Sequence, residues 1–410
     1  VPVLTKKQKE VFDDVLNFFS HPERYGNKYV LSGYAGTGKT FLLAEIVKHL
    51  PDKIICATTH KARKVLQDKM RAAGISSEVH TIHSILYTSP KDKIDFLLDE
   101  LQLERSKRRS SKVINKEIHT LKNGIFSNLS FVPVDDWRHT TKNIIVDEAS
   151  MLSKELVYIA LHLNLNMLYV GDGAQLPPVK ATAGVNFKRP TKTLSEIVRQ
   201  KDGSPIPEIA YKIRTCKKNL ELIIKKAMAD YPEVFSKTKI KGAQNLVWTN
   251  KKRSSINSHF WPHKKLLTEA EYIVYKSGNG YIAGEPVIVE KITYHESDAY
   301  IATAEVTLPH RLHEKTKKPI RRTVILSTTD LNIQKSSKLK SATAAAIADK
   351  KADIILTMPY AITVHKSQGS EYDNVNIYCS GRLRRGTHAE RKQWLYTAIT
   401  RAKNKVYIEF

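Results

Sequence analysis

Cysteine is nearly missing from this chain: Cys56, Cys216 and Cys379 are widely scattered and odd in number. That usage excludes a disulfide framework and a cysteine metal cage, and it suits a reducing cytoplasm. No run of about 18 apolar residues occurs, so neither a spanning helix nor a membrane partner is expected. The opening Val1-Pro2-Val3-Leu4, followed by Lys6 and Lys7, lacks the charge, apolar core and small-residue order of a secretory signal. There is no long Gly/Ser-rich or Pro-rich linker, which argues against loosely tethered modules. Acidic residues are the last shortage: 41 Asp and Glu stand against 67 Lys and Arg, a formal charge of +26. A field of that size attracts polyanions and makes binding sensitive to salt. A merely solubilising surface is the bland alternative. The grouping of Arg105, Lys107, Arg108 and Arg109, and of Arg311, Lys315, Lys317, Lys318, Arg321 and Arg322, favours nucleic acid over it.

The 410 residues, 41% of them hydrophobic, suffice for two or more domains with proper cores. Short apolar runs recur at Tyr29-Val30-Leu31, Ile54-Ile55-Cys56, Ile144-Ile145-Val146 and Met167-Leu168-Tyr169-Val170. Turn residues and a helical pattern follow each run, as in buried parallel strands with crossover helices. A second set follows at Leu246-Val247-Trp248, Val375–Tyr378 and Val406-Tyr407-Ile408. The pattern predicts an α/β fold of two lobes, over residues 1–195 and 196–410. Two stretches break it: a basic one at about 87–142, and one at about 280–355 that alternates β-rich segments with basic turns. Both read as insertions, one in each lobe, the second as a small β-domain.

Gly33-Tyr34-Ala35-Gly36-Thr37-Gly38-Lys39-Thr40 matches G-x-x-x-x-G-K-[ST] in full. It lies between an apolar run and a helical pattern stopped by Pro51, the context this motif requires. Gly33, Gly36 and Gly38 let the backbone wrap phosphates, with the N–H groups of Ala35 and Thr37 available to them. Lys39 is placed for the β- and γ-phosphates and the Thr40 hydroxyl for Mg²⁺. Asp147 and Glu148 close the run 144–146, where a second metal ligand and a proton acceptor for the attacking water belong. A lone Asp-Glu pair usually lies on a solvated surface; its place after an apolar strand downstream of a P-loop favours chemistry. ATP and Mg²⁺ are the cofactors this set implies.

Four further segments carry a resemblance. Asp147–Met151 and Gly171-Asp172-Gly173-Ala174-Gln175-Leu176-Pro177-Pro178-Val179 resemble motifs II and III of superfamily 1 helicases. Thr363–Glu371 and Leu395–Ala402 are similar to motifs V and VI, and the wording is that of the B-type RecD and Dda group. The resemblance implies two RecA-like motor lobes and a second insertion built as an SH3-like barrel. It implies that Gln8 pairs with adenine, that Gln175 senses the γ-phosphate, that Arg199 and Arg401 act as arginine fingers, and that Gly369 and Glu371 border the nucleotide. It implies DNA contacts from Thr59, His60 and Lys61, from Thr81 and His83, from Asn250, and from His365, Lys366 and Ser367. Trp137 and Phe131 stand as wedges for splitting a duplex.

The activity implied is an ATP-dependent 5′-to-3′ single-stranded DNA translocase and helicase serving replication, recombination or repair. Its partners would be single-stranded DNA, fork or tailed duplexes, and a single-strand-binding or replication protein. It would act as a monomer in the cytoplasm of a bacterial or phage-infected cell. Two departures stand out: Gly284-Glu285-Pro286-Val287 replaces the family's Gly-Asp-Arg-Val, and the first insertion is longer and more basic than the group's. Two other readings keep the ATP site: an RNA helicase, and a clamp that uses ATP only as a switch. The wording of Val364–Gly369 favours DNA, and the presence of both Glu148 and Arg401 favours turnover.

Overall fold

The computed structural model describes residues 3–88, 115, 118–119, 132–134, 137, 139–178, 181–198, 204–217, 219–260, 270–274, 286–294, 301–312, 318–328, 353–379 and 381–410. Its first lobe is a six-stranded sheet built from β1 (Lys28–Gly33), β2 (Ile54–Ala57), β3 (Val79–Thr81), β6 (Asn143–Asp147), β7 (Asn166–Gly171) and β8 (Lys192–Leu194). Every pairing is parallel, in the order β3-β2-β6-β7-β1-β8. Helices cover both faces, which is why these strands read as unbroken apolar runs. One face packs against Val11, Phe12, Val15 and Phe18 of α1 (Lys6–Ser20), Leu42 and Ile46 of α2 (Lys39–His49), and Leu66 and Met70 of α3 (His60–Ala72). The other packs against Ile82 and Ile85 of α4 (Ile82–Leu86) and Leu156 and Ile159 of α5 (Lys154–His162). A two-stranded ladder, β4 (Tyr87–Thr88) with β5 (Val132–Pro133), brackets the basic stretch, most of which lies outside the described residues.

The second lobe opens with α6 (Ile206–Thr215) and α7 (Leu220–Asp230), then β9 (Gln244–Val247) and α8 (Asn250–His259). Five strands next form a closed barrel: β10 (Ala270–Val274), β11 (Pro286–Tyr294), β12 (Ile301–Leu312), β13 (Pro319–Thr328) and β14 (Ile354–Thr357). Alternation puts Tyr272, Val274, Val287, Val289, Val306, Leu308 and Leu356 inside it. The barrel starts at Ala270, earlier than the 280 of the sequence reading, because β10 closes it by pairing with both β11 and β14. Pro286, in the departing Gly-Glu-Pro-Val segment, is the first residue of β11, a position where a missing N–H costs little. The buried Arg253 of α8 donates to Thr357 Oγ1 (3.2 Å) and Asn257 to the Met358 carbonyl (2.9 Å), rooting the barrel on the lobe.

Past the barrel, β15 (Ala361–Thr363), β16 (Tyr372–Tyr378), α9 (His388–Ile399) and β17 (Ala402–Glu409) complete a parallel sheet in the order β15-β9-β16-β17. Trp394, Tyr396, Ile209, Ile213 and Ile377 fill its core. Two parallel-sheet lobes with an insertion in each is the arrangement expected of RecA-like motor lobes.

Candidate functional site: a nucleotide cleft between two lobes

The C-terminal ends of the first sheet, past β1 and β6, meet the N-terminal ends of β16 and β17 of the second across one cleft. On the first-lobe side β1 ends at Gly33 and α2 starts at Lys39, so Gly33–Gly38 must turn within six residues. Gly36 (φ 82°) and Gly38 (φ 74°) take the left-handed conformation that a side chain would resist, and a Cβ on Gly38 would come 2.7 Å from Gln8 Nε2. Lys39 Nζ donates to the carbonyls of Gly33 (2.7 Å) and Tyr34 (3.1 Å), which holds the ammonium in the mouth of the loop. Thr40, half-buried, follows in the first turn of α2.

Gln8 is buried rather than exposed. Its Nε2 donates to the Thr37 carbonyl (3.2 Å) and its Oε1 accepts the Thr5 N–H (3.0 Å), the second half of a capping box at the start of α1. The amide therefore braces the loop from behind; one N–H and one lone pair are what it retains for an adenine edge.

Asp147 ends β6, and its Oδ1 accepts the Glu148 N–H (2.9 Å). Glu148 sits at φ 53°, a left-handed conformation uncommon for a glutamate and of the kind held at functional sites. Burial raises the pKa of both carboxyls. For Glu148 the neighbouring Asp147 charge raises it further, while Arg401 and Lys39 pull it back down. Glu148 Oε2 is buried with no hydrogen-bond partner. The Thr40 hydroxyl and the Asp147 carboxylate are hard oxygen donors, the kind that suit Mg²⁺ with the rest of its shell from water and phosphate.

On the second-lobe side Arg401 is buried and aimed by three bonds: Nε to the Thr397 carbonyl (3.1 Å), Nη1 to the Ser370 carbonyl (3.1 Å) and Nη2 to Thr400 Oγ1 (3.2 Å). Gln175 is buried too, its Oε1 without a partner. The segment around it is pinned across the cleft, because Leu176 N–H donates to Thr397 Oγ1 (3.1 Å) and Gln368 Nε2 to the Leu176 carbonyl (2.9 Å). Tyr396, which sequence reasoning passes over, joins three elements. Its hydroxyl donates to Asp172 Oδ2 (2.6 Å) and accepts the P-loop N–H of Ala35 (2.9 Å). The only advance signal was its place five residues before Arg401, on the helix that leads to it.

Several of the residues singled out in the sequence take partners within the protein. Gly369 and Glu371 lie against α3: a Cβ on Gly369 would overlap the Ala62 methyl, and Glu371 pairs with Lys69 (3.5 Å). Ser367 is fully buried, its hydroxyl bonded to the Val364 carbonyl (2.8 Å), because residues 364–367 form a tight 3-10 turn. Thr81 is buried and caps α4, its hydroxyl accepting the Ser84 N–H. Thr59 caps α3 likewise, and Lys61 Nζ donates to the Tyr372 hydroxyl (2.6 Å) across the cleft. Trp137 is no wedge, since its indole packs on the first-lobe core and donates to the Thr141 carbonyl (2.7 Å). Of the other residues expected to contact DNA, His83 and Asn250 are exposed, and His365 and Lys366 are half-buried. Burial and the nearby Arg382 hold the His365 pKa below the ordinary imidazole range. Arg199, Phe131 and the His60 side chain lie outside the described residues, although the backbone just before Arg199 rests on the P-loop, with Val198 N–H donating to the Gly36 carbonyl (2.9 Å).

Comparisons agree with this geometry. Residues 4–229 match the AAA domain family, and residues 359–408 match the UvrD-like helicase C-terminal domain. An uncharacterized protein of Acanthamoeba polyphaga mimivirus is 33% identical over 172 residues, covering 39% of this chain and 31% of that protein. The DNA replication ATP-dependent helicase/nuclease of Saccharomyces cerevisiae is 27% identical over 227 residues, covering 52% of this chain and 13% of its own length. The chain thus spans less than a third of the curated relatives it matches. Among solved structures, one of two coordinating Pif1 helicases at forked duplex DNA aligns over 100% of this chain and 92% of its own (TM-score 0.55, 16% identity). Bacteroides Pif1 bound to single-stranded DNA aligns over 100% and 93% (TM-score 0.51, 15% identity). At those identities the likeness is one of fold. The chain belongs to the AAA domain family, and it joins that ATPase domain to a UvrD-like helicase C-terminal domain in the two-lobed fold of a superfamily 1 helicase.

Proposed function

We propose that the protein is an ATP-hydrolysing DNA helicase that moves 5′ to 3′ on single-stranded DNA. The observation that carries the ATPase is the buried, unpartnered carboxylate oxygen of Glu148, set in one cleft with Lys39 of the first lobe and Arg401 of the second. A carboxylate so placed accepts a proton from an attacking water, and Lys39 and Arg401 spread the charge that develops on the transferred phosphoryl group. Mg²⁺, held by Thr40 and Asp147, supplies neutralisation of phosphate charge when bound. Gln175 reports on the γ-phosphate, and Arg199 adds a second finger. Because these groups come from two lobes, hydrolysis requires closure, and differential contacts to ATP and ADP convert turnover into lobe motion.

The track is single-stranded DNA. The formal charge of +26 supports a polyanion, and the neighbours named for single-stranded and forked DNA support this one. His83, Asn250, His365 and Lys366 lie along it and contact phosphate without reading sequence. The lobes divide at about 195, the barrel is an SH3-like element that braces unwinding, and the chain works as a monomer, with a single-strand-binding or replication protein as a further partner. The direction belongs to the B-type group, and the cytoplasm remains the compartment. Relatives from a giant virus and a yeast give no support to a bacterial or phage host.

A strand-displacement assay with Mg²⁺ and ATP tests the reading. A duplex with a 5′ tail should open, while 3′-tailed and blunt duplexes stay closed. Preferential opening of the 3′-tailed duplex would overturn the polarity, and stimulation by poly(U) alone, not poly(dT), would overturn the DNA track.

A further inference from the structure

We infer that Lys69 of α3 is a positioning residue for Arg401, acting through Glu371 across the cleft. Three consecutive residues of the second lobe carry the geometry. The Ser370 carbonyl accepts Arg401 Nη1 (3.1 Å), and the Tyr372 N–H donates to the Arg401 carbonyl (2.8 Å), so segment 370–372 holds the arginine at its guanidinium and at its backbone. The residue between them, Glu371, takes Lys69 Nζ at 3.5 Å. The Tyr372 hydroxyl accepts Lys61 Nζ at 2.6 Å, with the ammonium 4.7 Å from the centre of the ring. Ala62 meets Gly369 just upstream. Residues 62 and 69 are seven apart, two turns of helix, so one stripe of α3 lies along the whole segment. The first lobe therefore grips the strap that aims the finger of the second.

The Lys69–Glu371 pair is only partly exposed, with side-chain accessibilities of 36% and 25%, and it joins two bodies, so its attraction bears on where the lobes sit rather than on either fold. α3 begins at His60, capped by Thr59 just after β2, in the segment whose resemblance implies a DNA contact, and its middle reaches the arginine strap. A shift of this helix on engaging a strand is thus transmitted to Arg401, which faces Glu148. Glu371, which the resemblance sets at the border of the nucleotide, thus also has a partner on α3.

The test rests on the ATPase of the proposed function. On the full chain, DNA-stimulated kcat and the KM for ATP are measured for Lys69→Gln, Glu371→Gln, the double variant and Lys69→Arg, with Lys64→Gln, an exposed lysine of the same helix, as control. Each single neutralisation should cut kcat about fivefold, and the double variant about as much, rather than the twenty-fivefold of independent sites. Lys69→Arg should stay near the parent, the control should match it, and no variant should move KM appreciably. Additive losses would overturn the pairing. A raised KM in Glu371→Gln that is absent from Lys69→Gln would return Glu371 to the nucleotide and overturn it equally. A parent chain that hydrolyses no ATP would sink the proposed function instead, which keeps the two failures distinct.

Discussion

In the first lobe Thr59 follows β2 and Thr81 ends β3, and each hydroxyl accepts the N–H three residues on, from Ala62 and Ser84. In the second lobe Thr249 follows β9 and Thr363 ends β15, and they do the same for Lys252 and Lys366. The rims proposed to face DNA are thus built alike in the two lobes, by extended threonines that start a helical turn at the end of a strand. The walls of the cleft differ. The first lobe buries Asp147 and Glu148 in unfavourable surroundings and leaves Glu148 Oε2 unpaired. The second buries Arg401 with three of its donors satisfied. One lobe stores an unsatisfied acceptor and the other a preorganised donor, so the proposed catalytic set is complete only where they meet.

The largest effect should come from breaking the unsatisfied side. Glu148→Gln should lower the ATPase kcat by about 10²–10⁴-fold while keeping ATP affinity, whereas Lys39→Ala should lose affinity as well. Steady-state kinetics with a nucleotide-binding titration separates the two. Near-normal turnover in Glu148→Gln would remove the asymmetry between the walls.

Tyr396 joins the walls, so Tyr396→Phe sharpens the comparison. It leaves Asp172 Oδ2 and the Ala35 N–H without the hydroxyl that serves both. A hydrogen bond to a charged group is worth about 1.5–3 kcal/mol, so a loss of roughly 10- to 100-fold in kcat/KM for ATP is expected. An unchanged value would mean that the hydroxyl does not organise the P-loop.

The rims come next. Replacing His365 and Lys366 together with Ala should weaken DNA binding and flatten its salt slope by about one for the lost lysine charge. A fluorescence-anisotropy series over ionic strength measures both quantities. Burial and Arg382 depress the His365 pKa, so its ring is neutral at pH 7 and becomes charged only when the pH falls below the ordinary imidazole range. Its share of the salt slope should therefore be absent near neutrality.

The smallest effect is the cap itself. Thr249→Ala and Thr59→Ala should each cost about 1 kcal/mol of stability, read from the denaturation midpoint. If Thr59→Ala instead abolished DNA binding at unchanged stability, its hydroxyl would belong to the strand and the likeness of the two rims would be superficial.

Much of the motor was legible beforehand. Apolar runs buried on both faces mark parallel strands by composition alone, and a P-loop is a local object, made by glycines next to one another in the chain. The barrel was legible in kind and less so in extent, since β10 is a short run whose meaning comes from pairing with residues 286–289 and 356–357. Residue roles at the rims were the least legible. Thr81 and Ser367 stand in segments whose wording suggests a strand, yet each hydroxyl is taken by a backbone group within three residues.

The sequence by itself therefore determined the chemistry on offer: a phosphate loop, a pair of carboxylates after an apolar strand, an arginine late in the chain, and an excess of positive charge for a polyanion. Only the tertiary structure decided who answers to whom. Lys69 and Glu371 lie about 300 residues apart in the chain and Ala35 and Tyr396 about 360, and each pair meets only because elements after the strands of the first sheet face elements just before β16 and β17 of the second. Such contacts leave no trace in local spacing, because either partner alone is an ordinary exposed lysine, glutamate or core tyrosine until the other lobe arrives.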